Sequence, residues 1–150
     1  MTAKYSTGFR NGLLADGAFS SIMDGFVLKL FTGTEPASAD DALSSNTLLC
    51  VYSKGGTGEG LEMAPPSGGA VSKPSGDTWS ATALATGTPT FFRWEDPLDD
   101  GTLSTTAVRV QGKVGLLSDN GAQLALSTLA VVAGAPLSID AASVTMPVNG

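Results

Sequence analysis

Hydrophobic and polar positions change period along the chain. Within residues 1–24, Phe9, Leu13 and Leu14 recur at helical spacing behind Ser6 and Thr7, whose hydroxyls can accept from the free amides of a helix start. Asp16-Gly17 breaks that run. Ala18 to Met23 then predicts a second short turn, with Phe19, Ile22 and Met23 on one side, and Gly25 ends it. Residues 1–24 therefore read as a partly helical N-terminal arm.

From Phe26 the period falls to two. Phe26 to Phe31 reads as a strand with Phe26, Leu28 and Leu30 on one face, and Leu48 to Tyr52 as another. Between them, Thr32 to Asn46 carries Gly33, Pro36, Asp40 and Asp41 and reads as loop. Lys54 to Gly60 is a glycine-rich loop, Leu61 to Ala64 a short strand, and Pro65 to Asp77 a mobile Pro/Gly/Ser segment ordered on binding. The second half alternates more cleanly, at Thr78–Ala85 and Thr90–Glu95. In the latter, Phe92 and Trp94 face away from Arg93 and Glu95. Thr105 to Leu116 sends Val108, Val110 and Val114 one way and Arg109, Gln111 and Lys113 the other. Asn120-Gly121 signals a hairpin into Gln123–Val132. Leu137–Asp140 and Ser143–Val148 complete the set. The pattern predicts an all-β fold over residues 1–150: one antiparallel β-sandwich or jelly roll with a short helical N-terminal arm.

Composition narrows the function. Only 15% of the 150 residues are charged, against about 25% in an average soluble domain. The formal charge is −6, and the eight basic residues are scattered, so no concentrated positive field is offered to nucleic acid. Cys50, the single cysteine, lies in an apolar run and reads as a buried, inert thiol. No signal-like segment and no run near the roughly 20 apolar residues of a membrane span is present, so a reducing cytoplasm is the expected place of synthesis.

Histidine is absent. That excludes Ser-His-Asp and Cys-His catalysis and His-ligated zinc, and one cysteine cannot build a thiolate zinc site. Paired carboxylates remain at Asp40-Asp41, Glu59 with Glu62, Glu95-Asp96 and Asp99-Asp100. They lie mostly in turns, where Asp is favoured for bonding its own backbone. The Glu95–Asp100 cluster lacks the spacing of a calcium loop, and in Lys54–Gly60 the lysine precedes the glycines, the reverse of a phosphate loop. The expectation is a protein that is no enzyme and needs no cofactor or metal. Trp79, Trp94 and Phe92 read as core; Phe91, on the opposite face, is a candidate interface aromatic.

Ser6-Thr7-Gly8-Phe9-Arg10-Asn11-Gly12-Leu13-Leu14 resembles the opening of a group of small virion proteins of tailed bacteriophages and prophages. In that group a Gly-led strand, a Gly-Thr-x-Pro and an Ala-Asp follow; here these are Gly25–Phe31, Gly33-Thr34-Glu35-Pro36 and Ala39-Asp40. A Trp strand and a Phe-Arg strand come next, at Trp79 and Phe92-Arg93. The resemblance is close over residues 6–40 and loose afterwards. It implies a virion structural protein and, by looser similarity of size and fold, a jelly-roll cement or decoration subunit on the capsid surface, assembled in the bacterial host cytoplasm. Its implied partners are the major capsid protein or other virion proteins, with a homodimer or homotrimer expected from its edge strands and neither nucleic acid nor membrane. On that reading Tyr5, Phe9 and Arg10 contact the shell or a sister subunit; alternatively Phe9, Leu13 and Leu14 close one end of the sandwich. A tail, neck or baseplate component and a carbohydrate-binding module are the competing roles.

Overall fold

A computed structural model describes residues 3–145. The described chain opens with strand β1 (Lys4–Tyr5) and helices α1 (Thr7–Ala15) and α2 (Phe19–Met23). Strands β2 (Val27–Phe31), β3 (Leu48–Lys54), β4 (Ala70–Ser72), β5 (Trp79–Thr82), β6 (Phe91–Glu95), β7 (Arg109–Leu116), β8 (Leu124–Leu126), β9 (Pro136–Ile139) and β10 (Ser143–Thr145) follow. One sheet takes the order β1-β7-β6-β2-β3-β5-β9, with β8 added beside β7; β4 and β10 form a separate two-stranded sheet. The chain is thus mostly β and antiparallel but for one pair, as its alternation predicts. The topology shows one eight-stranded sheet with a small companion, and no sandwich or jelly roll.

Register sorts side chains by face. Leu28 lies opposite both Trp94 and Tyr52, Leu30 opposite Phe92 and Cys50, and Trp94 opposite Val110. These residues share one continuous core with Leu49, Trp79, Ala81, Val114 and Ile139. The helices close over this face. Phe9 and Met23 are buried in it, and Phe9, Phe19 and Trp94 form an edge-to-face chain with centroids 5.6 and 5.7 Å apart. Ala142 and Val144, from β10 and the segment leading to it, pack against the same core. The predicted arm is therefore folded back onto its own sheet.

Why α1 starts where it does is legible atom by atom. Ser6 Oγ accepts from the Phe9 amide at 3.0 Å, the N-cap bond, and also from the Arg109 amide at 2.9 Å while donating to the Ala107 carbonyl at 2.8 Å. One hydroxyl caps the helix and ties it to the start of β7. Gly8 makes the approach possible. A Cβ there would stand 2.3 Å from the Thr106 carbonyl oxygen and 2.5 Å from that of Ala107, both backbone atoms.

Four sequence expectations change. Asn120-Gly121 does not make a hairpin: β8 runs parallel to β7, with Val114 opposite Leu124 and Leu116 opposite Leu126. A type I′ turn needs positive φ at both central residues, and among the described residues neither Asn120 nor Gly121 has it. Instead Asp119 Oδ1 accepts from the Gly121 amide, and Gln123 pairs back to Lys113 through its amide (2.9 Å) and side-chain carbonyl (2.8 Å). Second, Pro65–Asp77 contains β4, held by β10 at Ala70–Ser72. Third, Leu61 makes only an isolated bridge to Phe26, so Leu61–Ala64 is not a strand. Fourth, Gln123–Val132 is a strand only at Leu124–Leu126, with Val131 bridging to Gly87. The expected strand Ser143–Val148 is seen at Ser143–Thr145, and residues 146–148 lie outside the described residues.

Replacing Gly8 by Ala drives a methyl group into the backbone of Thr106 and Ala107. The expected outcome is a loss of about 1–3 kcal/mol of unfolding free energy in urea titrations. An unchanged midpoint would show that the helix does not sit this close to β7.

Candidate functional site

The sheet's second face is the unexpected one. Lys29, Arg93, Glu95, Arg109 and Gln111 alternate with the core residues and, by that pattern alone, would point to water. All five are buried, Arg93 and Gln111 completely. They are also cross-strand neighbours: Lys29 lies opposite Arg93, Arg93 opposite Gln111, and Glu95 opposite Arg109. The loop 32–46 and the loop 96–108 cover them.

Each cation has a defined seat. Arg109 holds Asp99 with two parallel bonds, Nε to Oδ2 and Nη2 to Oδ1, both 2.7 Å, the fork geometry that makes Arg–carboxylate pairs strong. Its Nη2 also donates to the Thr102 carbonyl and its Nη1 to that of Ala39. Lys29 Nζ pairs with Glu95 Oε1 at 3.0 Å and donates to the Asp99 carbonyl. Arg93 donates to Gln111 Oε1 at 2.9 Å and to the Asp41 carbonyl at 2.7 Å. Gln111 in turn reaches the Pro36 carbonyl and Glu35, and Lys4 pairs with the same Glu35 at 3.1 Å. The covering loops thus turn carbonyls toward an interior in which three cations, Lys29, Arg93 and Arg109, face the two buried carboxylates of Glu95 and Asp99.

The opening motif meets this network at its margin. Asp40 accepts from the Thr7 amide at 2.8 Å and from its hydroxyl at 2.6 Å, and Arg10 Nη2 donates back to Thr7 Oγ1 at 2.9 Å. Ser6, Thr7, Gly8 and Arg10 therefore meet Asp40 and the start of β7 in one joint, while Glu35-Pro36 lies over Gln111. No protein-family model matches the chain, and no curated protein or solved structure matches it either.

The candidate surface residues divide. Tyr5 (42% exposed) and Arg10 are at the surface, Tyr5 stacked on Phe9 with centroids 5.0 Å apart. Phe9 and Phe91 are not: Phe9 fills the apolar core, and Phe91 stacks on Phe31 at 5.3 Å on the covered polar face. Burial takes both out of direct reach of a partner in this conformation. Leu13 packs on the core, whereas Leu14 is 88% exposed.

The carboxylate pairs are engaged locally. Asp96 and Asp100 accept from the amides of Leu98 and Thr102, Asp41 from that of Ser38, and Glu62 pairs with Lys54. Glu95 and Asp99 are close partners of one another's cations but sealed from solvent, which suits a lock and not an acid–base pair. Sequence reasoning missed this lock because alternation alone cannot say whether a polar face is wet. The available signal was that Lys29, Arg93, Glu95, Arg109 and Gln111 fall on neighbouring strands beside loops too polar to form a core.

Burial raises Glu95 above the ordinary glutamate value, whereas Asp99 is held below the ordinary aspartate value of 3.8: burial pushes it up, but the Arg109 bonds and the Gly101 amide outweigh that. Asp40 is lowered likewise, its Thr7 bonds outweighing burial. The two directions act oppositely on stability. Asp99 and Asp40 stabilise the fold above the unfolded-state value and lose that contribution as pH falls through their lower folded values. Glu95 costs stability at neutral pH, a cost relieved as pH falls through its raised folded value. Unfolding free energy is therefore expected to hold or rise slightly from about pH 7 to 5 and to drop below about pH 4. Asp99→Asn is expected to cost about 3–5 kcal/mol at neutral pH and to shrink the acid drop, read by urea titrations across pH. An acid limb identical to wild type would remove Asp99 from this account.

Cys50 is fully buried in the apolar core, and burial pushes its thiol up to about 12. Thiolate is then scarce and out of reach near neutral pH. Its modification by a thiol-reactive disulfide is expected to track the global unfolding rate, accelerating only with denaturant. Fast labelling in native buffer would contradict the burial.

Proposed function

We propose that this chain is a non-enzymatic virion structural protein, a capsid cement or decoration subunit that stabilises a phage head through protein–protein contacts. The observation that carries the reading is the joint just described. The segment resembling phage virion proteins, Ser6 to Arg10 with Glu35-Pro36 and Ala39-Asp40, is engaged in clamping the N-terminal segment to the charged side of the sheet. It serves rigidity and leaves Tyr5 and Arg10 outward at the clamped end. A subunit bridging capsomers under internal pressure needs such a stiff body and adds stability by burying interface on both neighbours. The jelly-roll kinship belongs to the same proposal: α1, α2 and the β4–β10 pair would stand for a reduced second layer over the apolar face. The carbohydrate-binding alternative is disfavoured because Trp79 and Trp94 are 1% and 5% exposed and offer sugars no platform.

Quantitative mass spectrometry of purified particles is the direct test. A copy number comparable with the major capsid protein is expected; a handful of copies would place the chain in the neck, tail or baseplate, and absence would reject a virion role. Tyr5→Ala with Arg10→Ala is expected to reduce particle occupancy at least tenfold, about 1.4 kcal/mol, at a temperature where circular dichroism shows the variant folded, since both side chains also support the joint through Phe9 and Thr7. Undiminished occupancy would move the contact elsewhere on the surface.

A further inference from the structure

The core face of the sheet is not filled to its margin. Residues of β5, β6, β8, β10 and α2 surround a cavity of about 480 Å³, within the range of pockets that hold small molecules. Trp79, Phe92 and Trp94 of the core line it, and so do Tyr5 and Leu117, which are 42% and 73% exposed. The lining thus runs from the buried core to the surface. Side-chain size leaves the space open. The segments around β8 and β10 both reach it, but Ala125, Ala141 and Ala142 bring only a methyl group each.

The chemistry of the lining restricts what can enter. Among the described residues none that lines the cavity carries a charge. An ion would give up its hydration there without gaining a partner, and an anion would also meet a chain of net charge −6. Two donors are left over. Trp79 and Trp94 are 1% and 5% exposed, and the Nε1–H of each has no acceptor among the described residues. A buried N–H that loses water and gains no acceptor destabilises the fold, and native structures hold few of them. Here two occur on neighbouring rings, with centroids 6.1 Å apart, lining one cavity. Water suits the place poorly, because it needs about two to four polar partners and Leu28, Phe92 and Val110 around the indoles offer carbon. A sugar suits it no better, since each of its hydroxyls needs a partner.

We propose that this cavity binds an uncharged, ring-containing apolar molecule bearing an acceptor oxygen, a ketone, ester or ether, which accepts from the indole N–H of Trp79 or Trp94. The ring lies against the aromatic wall, and the oxygen meets a donor that the fold leaves without a partner. The inference goes beyond the proposed virion role and does not depend on it.

Equilibrium dialysis of the full chain against 2-acetylnaphthalene and 2-ethylnaphthalene tests it. The two are similar in shape, and only the first carries a carbonyl. Saturable binding of one molecule per chain is expected for both. Trp79→Phe and Trp94→Phe keep a ring and remove the N–H. In at least one of them the acetyl compound is expected to lose roughly three- to tenfold more affinity than the ethyl compound, the range of one net hydrogen bond. Ala142→Phe, checked as folded by circular dichroism, is expected to abolish binding of both. Leu117→Asp, at an exposed position, is expected to weaken both alike. No saturable binding by the wild type would overturn the proposal. So would binding indifferent to both Ala142→Phe and Leu117→Asp, or equal losses for the two compounds in both Trp→Phe variants. Binding by a chain absent from particles would reject the virion role and leave this site standing; a chain abundant in particles that binds neither compound would do the reverse.

Discussion

The fork between Arg109 and Asp99 is the interaction on which the architecture leans. A guanidinium on an inner strand, 1% exposed, is tolerable only when its donors are met. Asp99, Thr102 and Ala39 meet them, and to do so two long loops must fold down over the sheet. Those loops then deliver carbonyls to Arg93 and Gln111, and Asp40 to the first turn of α1. Removing one partner would leave an unpaired charge in the interior, so the loops, the joint and the sheet stand or fall together.

This arrangement explains how a chain with few charges and a modest apolar core becomes stiff on both sides of its sheet. One face is held by non-directional burial: Leu30, Leu49, Trp79 and Trp94 under two short helices. The other is held by directional bonds with fixed geometry. The first tolerates repacking; the second fixes where each loop lies. Glu95 Oε2 and Arg93 Nη1 find no hydrogen-bond partner among the described residues, although Glu95 Oε2 lies 3.7 Å from Arg109 Nε. The network therefore buys position at some cost in stability, in keeping with the general behaviour of buried ion pairs.

The same economy of charge shapes the exterior. Drawing three cations inward leaves the surface more acidic than the composition alone implies, while the β5–β9 ribbon stays neutral. The exterior is therefore an acidic body with one uncharged margin. That division separates a rigid clamped end, bearing Tyr5 and Arg10, from the uncharged margin formed by β5 and β9.

Sequence alone determined the elements whose cause is local. Ser6 caps α1, Gly17 follows its end, and strict alternation at Phe26–Phe31, Thr90–Glu95 and Thr105–Leu116 located the central strands and sorted Phe92 and Trp94 from Arg93 and Glu95. It also placed Cys50 inside. Tertiary structure decided what those faces meet. Whether Arg93 and Arg109 point into water or beneath a loop depends on residues up to seventy positions away, and no local period encodes that distance. Likewise, Asn120-Gly121 favours a hairpin by itself, but the Gln123 side chain and the bonds of Asp119 draw the chain into a parallel return along β7. Local propensity acts through neighbours a few residues apart, whereas burial of charge and choice of strand partner are settled only when distant segments compete for the same hydrogen bonds.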